Sequence, residues 1–176
     1  MIARALCLLL VASTLEAQAA TARAQNPVVH DVRALWLQSA DYLVKSAAAV
    51  PESSYTFRPS PSVRTFGQII GHVAGSQYAI CAMALGEKAP AEDAIETTRT
   101  TKGALIEALT QSTAYCQRAY AQSDAAVVKP TKVFDEPGSR LSALLLNASH
   151  DSEHYGNLVT YMRVLGMVPP SSQPSK

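Results

Sequence analysis

Asn147-Ala-Ser-His-Asp-Ser-Glu-His-Tyr-Gly-Asn157 carries two of the chain's four histidines, His150 and His154, four residues apart. On an α-helix that spacing stacks both side chains on one face, with Cβ atoms roughly 6 Å apart. Two imidazoles so placed can share a divalent metal ion, or they can be polar residues on a solvated or hydrogen-bonded face. The flanks read as helix. Leu141, Leu144 and Leu145 precede the pair, and Leu158, Val159, Tyr161, Met162 and Leu165 follow it. Gly166 and then Pro169-Pro170 close the element, a glycine past the last turn followed by prolines. The fourth helix is therefore expected from Ser139 to about Leu165.

Working back from it, three more helices emerge. Thr100 to Gln122 has apolar positions at Leu105, Ile106, Leu109, Ala114 and Tyr115. Thr65 to about Leu85 opens on Thr65 and Gln68 in capping-box spacing and ends at Gly86. It carries His72 among the small residues Gly71, Ala74, Gly75 and Ser76, which leave room for a metal with water or for a neighbouring helix. Val28 to about Val50 puts Val32, Leu35, Trp36, Leu43 and Ala47 near one face at the 3.6 period. The connections differ in kind. Pro51 to Arg64 is proline-barred from helix, yet Tyr55 and Phe57 are anchors that should pack it down. Glu87 to about Thr98 is polar. Ser123 to Gly138 contains two pieces, 127–129 and 132–134, that suit short extended segments. No longer strand pattern and no repeat is present. The fold class is all-α, an antiparallel four-helix bundle.

The chain has 176 residues, of which 48% are apolar and 16% charged, with a net charge of +1. One domain with a real core fits those values, and a nucleic-acid footprint does not. Residues 1–24 read separately, as a signal peptide. Arg4 gives a positive start, residues 5–15 an apolar run too short to span a bilayer, and Ala17-Gln-Ala19 and Ala22-Arg-Ala24 cleavage sites. Cys7 lies inside the apolar run, so no lipid anchor is expected. The expectation is export, to a periplasmic or secreted location, with residues 25–176 as the domain. There, Cys81 and Cys116 are either a disulfide between neighbouring helices or two buried thiols.

The Tyr-Thr-Phe-Arg-Pro-Ser-Pro loop (55–61), the Arg64–Ala74 stretch, His-Asp-Ser-Glu-His-Tyr-Gly (150–156) and Tyr161–Pro170 together resemble the DinB/YfiT-like superfamily of helical-bundle metalloproteins. The resemblance covers most of the chain after the leader. It implies a metal site formed by one histidine of the second helix and the His-x-x-x-His pair of the last, here His72, His150 and His154. It fixes no reaction. Some relatives act as thiol-dependent transferases and isomerases, a reading that an exported chain fits poorly.

Three neutral imidazoles leave coordination positions open on zinc or nickel, the catalytic arrangement, where a closed structural site uses four protein ligands. Such an ion lowers the pKa of bound water or polarises a carbonyl. Gln68, Asn147, Asp151, Glu153 and Asn157 are spaced to support the imidazoles from behind, and Glu153 is either a general base or a solvated charge. The order His-Asp-x-x-His is not that of the zinc proteases. Ser149 beside His150 is a sequence neighbour only, and no nucleophile elbow or phosphate loop occurs. The functional expectation is a metal-dependent hydrolase or transferase acting on a small molecule. The alternatives are a non-catalytic metal- or ligand-binding, stress-related bundle and a purely structural one. Neither a nucleic-acid partner nor a membrane anchor is expected, and a homodimer through helix faces is open.

Overall fold

The computed structural model of the protein describes Thr21 and residues 25–174, so the leader read at 1–24 lies, but for Thr21, outside the described residues. The chain is mostly helical. In order, the elements are α1 (Pro27–Ala49), a short 3-10 turn (Glu52–Ser54), α2 (Phe66–Leu85), α3 (Ala94–Thr98), α4 (Lys102–Ala119), α5 (Asp124–Val127), β1 (Pro130–Val133), β2 (Glu136–Ser139), α6 (Arg140–Val164) and a closing 3-10 turn (Pro170–Ser172). Among the described residues no helix is long and apolar enough to cross a membrane.

Local chemistry explains where the long helices begin and end. Thr65 and Gln68 close a reciprocal capping box at the start of α2. Gly86 ends that helix with φ 75°, a conformation that costs glycine nothing. Ser139 caps α6, and Gly166 turns the chain at φ 73° beyond it.

β1 and β2 pair antiparallel across Phe134-Asp135, both at positive φ, with Val133 opposite Glu136. This hairpin corrects the sequence reading at two points. Residues 124–127 are a helical turn, and the extended piece runs from 130 to 133. Two four-residue strands, each holding a proline, carry no alternation that could announce them. A second correction concerns Leu35 and Leu145. They were expected in the apolar stripes but are 52% and 47% exposed, because the adjacent Trp36 and Leu144 take the buried direction.

The core divides into two apolar clusters. One gathers Leu43, Phe66, Ile70, Leu109 and Leu158, the other Trp36, Ile80, Cys116 and Leu144. Between them lie buried polar residues from all four long helices, among them Ser39, Gln77, Ser112 and Asp151. They and their neighbours are bonded. Trp36 Nε1 and Gln77 Nε2 donate to Asp151 Oδ2 at 3.0 and 2.8 Å, and Ser112 donates to Gln77 Oε1 at 2.7 Å. Most buried polar groups in folded proteins are paired in this way, and these bonds tie α1, α2, α4 and α6 together, although Asp151 Oδ1 is left without a partner among the described residues. The 51–64 loop packs down as expected. Tyr55 is buried, its hydroxyl donating to Ala47 O at 2.7 Å, and Phe57 meets Tyr161 edge-on.

Cys81 on α2 and Cys116 on α4 form a disulfide, with Cα atoms 5.3 Å apart and a sequence separation of 35. Restricting an unfolded loop of that length is worth about 3–4 kcal/mol. Reduction is therefore expected to lower the thermal midpoint by about 6–16 °C, on the basis of about 2–4 °C per kcal/mol in a domain of this size. An unchanged melt after complete reduction would count against that stabilisation.

Candidate metal centre

His72, about two turns into α2, and His150 and His154, on successive turns of α6, meet at the edge of the polar layer. His150 Nε2 lies 3.2 Å from His72 Nε2 and 3.1 Å from His154 Nε2. One ligating nitrogen from each residue falls within 4.8 Å of the others. Ligands held tetrahedrally at the usual zinc–nitrogen distance of 2.0–2.1 Å stand about 3.3 Å apart. The donor set thus fits one divalent ion, and the three histidines are able to hold a metal.

The rear nitrogens support the same reading. With Nε2 kept free to ligate, each Nδ1 carries the proton. His72 Nδ1 faces Glu96 Oε2 at 3.6 Å. His154 Nδ1 lies 3.4 Å from the side-chain amide of Asn157. His150 Nδ1 is buried without a protein partner.

Burial holds all three imidazoles neutral. It pulls His150 down to about 4, with the charge of His72 adding to it, and His154 down to about 4, with His150 adding. It also lowers His72, with Arg64 acting in the same direction. Asp151 moves the opposite way, its carboxyl pushed up to about 7 by desolvation and held back by the bonds from Gln77 and Trp36.

The sign of the pH dependence follows. Unfolded histidines titrate near 6.5, so an acidified unfolded chain takes up protons that the folded one refuses. The stability tied to neutral imidazoles is full above about 6.5 and is lost as pH falls towards 4. Asp151 contributes in the opposite sense, stabilising below the unfolded carboxyl value near 3.9 and less as pH rises through 7. Three imidazoles outweigh one carboxyl, so the metal-free protein should melt lower at pH 5 than at pH 7.5. An equal or higher midpoint at pH 5 would contradict this assignment.

The residues expected behind the histidines mostly serve elsewhere. Gln68 is exposed and spends its amide on the cap of α2. Asn147 is buried and donates to Tyr120 Oη at 3.2 Å. Glu153 is exposed and lines the cavity beside His154. Asp151 belongs to the polar layer, and Asn157 alone approaches an imidazole.

The supporting carboxylate is instead Glu96, on α3 in the 87–98 connection read only as polar. That connection also occupies the room beside His72. A Cβ at Gly71 would come within 2.9 Å of Glu96 Cα, and one at Gly75 would collide with Glu92 O. Glu92 accepts a 2.5 Å bond from Ser76 Oγ. The glycines flanking His72 were the available signal. They admit a backbone segment against α2, a role that only the folded chain reveals.

His154 opens onto a cavity of about 780 Å³, walled by Val63, Arg64, Ile69, Glu96, Glu153 and Tyr161 among others. His154 is the one of the three histidines in its wall, and the space is large enough for a small organic molecule.

Over residues 35–158 the sequence matches the profile of the DinB superfamily. Among solved structures the chain is similar to a DinB-like protein from Bacillus cereus ATCC 10987. The TM-score is 0.67 at 14% identity, over 79% of this chain and 93% of that one. It is similar also to a DinB-like protein from Bacillus subtilis, with a TM-score of 0.65 at 18% identity, over 85% and 100% of the two chains. A mycothiol-dependent maleylpyruvate isomerase shares the fold with a TM-score of 0.63 at 17% identity. The alignment covers 74% of this chain but only 60% of the isomerase. No curated protein matches the sequence.

Proposed function

Because the chain belongs to the DinB superfamily, we propose that it is an exported, metal-dependent hydrolase or transferase acting on a small molecule. It works from an antiparallel four-helix bundle, through zinc or nickel held by His72, His150 and His154. The observation that carries this reading is the convergence of three imidazole nitrogens, 3.1 and 3.2 Å apart, beside an open cavity. Export rests on the charged start, apolar run and small-residue sites of residues 1–24, and the Cys81–Cys116 bridge suits an oxidising compartment.

When bound, the ion supplies a Lewis acid and a water activated near neutral pH. The chain's own residues do the rest. The three histidines provide neutral donors from two rigid helices. Glu96 orients His72 through Nδ1, and Asn157 stands behind His154. Glu153, exposed in the cavity wall, would be the residue to accept or return a proton. Val63, Ile69 and Tyr161 give the substrate an apolar wall. Both cysteines of the described chain are bridged, so a thiol-dependent transfer of the kind named for the isomerase neighbour requires a thiol brought by the co-substrate.

The test is a screen of zinc- and nickel-loaded protein lacking residues 1–24 against ester, amide, lactone and thiol-transfer substrates, with His154→Ala as the control. Turnover that needs both the metal and His154 supports the reading. Stoichiometric metal with no turnover across the screen favours the non-catalytic binding module.

A further inference from the structure

We propose that the cavity beside the histidines takes a small organic acid, whose carboxylate docks on the terminal nitrogens of Arg64 while its apolar body lies along Val63 and Ile69. The inference rests on the metal-centre reading above and names its substrate class.

Arg64 sits on the cavity wall, 44% exposed. Its Nε donates to both oxygens of Glu96, at 3.0 and 3.1 Å, and Tyr161 Oη bonds to the Arg64 carbonyl at 2.7 Å. Side chain and backbone are thus held in place. The two terminal nitrogens have no protein partner among the described residues, so the outer fork of the guanidinium is left for a ligand. A planar fork of this kind matches a carboxylate bidentately.

Glu96 ties this fork to the metal centre, because its other neighbour is His72 Nδ1 at 3.6 Å. The Arg64 charge reaches all three histidines. Local charge makes the docking conditional. Arg64 stands against Glu92, Glu96 and Glu153, which leaves the surroundings of the imidazoles net negative by two. A divalent ion cancels that excess. An anion is therefore repelled without the metal and accepted with it, and the coupling must be reciprocal.

The probe is benzoate, with benzamide as its neutral counterpart, titrated calorimetrically in a chloride buffer. Zinc affinity is measured on each sample by competition with a chromogenic chelator. The zinc-loaded wild type is expected to bind benzoate at least about tenfold tighter than the metal-free protein and than zinc-loaded Arg64→Gln, the loss expected for a charge-assisted pair. Arg64→Lys should fall between them, and benzamide should bind no better to wild type than to Arg64→Gln. Zinc affinity of Arg64→Gln should stay within about threefold of wild type, because Glu96 still faces His72.

Equal benzoate affinity in Arg64→Gln with zinc retained overturns the inference and leaves the metal centre standing. So does equal binding of benzamide, or a collapse of zinc affinity in that variant, which would make Arg64 a support for the metal alone. A wild-type protein that takes up no zinc overturns the metal-centre reading, and this inference falls with it.

Discussion

Replacing His154 by Ala is expected to weaken zinc binding by more than roughly a hundredfold, since even the partners behind metal ligands are worth 10–100-fold. His154 supplies one of three donors, and its Nε2 stands 3.1 Å from that of His150. No other His, Cys, Asp or Glu of the described chain joins the cluster to replace it. The fold should persist, because the apolar clusters on either side are built from other residues. In the metal-free state the substitution removes a buried imidazole that resists protonation. The variant should then lose less stability on acidification than wild type does. Chelator competition checks the affinity and circular dichroism the fold. Wild-type zinc affinity in a folded His154→Ala protein would mean that the ligands lie elsewhere.

Trp36→Ala should cost about 3–5 kcal/mol, the range for emptying a buried aromatic site, and more than any other single substitution considered in the polar layer. Trp36 is fully buried and stacks on Tyr120 with ring centroids 4.3 Å apart. Its Nε1 also donates to Asp151 at 3.0 Å. Ala removes the packing and leaves Asp151, which already has one oxygen unpartnered, with Gln77 as its remaining donor. Trp36→Phe retains most of the ring and removes only the donor, so it should cost roughly 1–3 kcal/mol. Urea unfolding of the two variants separates packing from hydrogen bonding. A Phe variant as unstable as the Ala variant would place the whole effect in the bond to Asp151.

These two sites differ in how readable they were. The histidines could be found because a metal site on helices leaves a periodic trace: His150 and His154 one turn apart, His72 inside a capped apolar segment. The caps were equally legible, since Thr65, Gln68 and Gly86 act within a few residues of themselves. What the sequence could not display is anything made by distant segments meeting. Glu96 and Arg64 lie 32 residues apart and become a pair only when the 87–98 connection folds onto Gly71 and Gly75. Ser39, Gln77, Ser112 and Asp151 each look like an ordinary polar residue on its own helix, and their layer exists only in the packed core. Gln68 misled for a related reason. It lies one turn before His72, on the same side of α2, but the unpaired backbone N–H of Thr65 is nearer and takes its side-chain oxygen.

His72, His150 and His154 are expected to hold one divalent metal together. X-ray absorption at the zinc edge of stoichiometrically loaded protein tests it directly. Nitrogen and oxygen donors are expected at about 2.0–2.1 Å, with the outer-shell scattering of three imidazoles and loss of that signal in the triple alanine variant. A spectrum without imidazole scattering, or one unchanged in the triple variant, would contradict it.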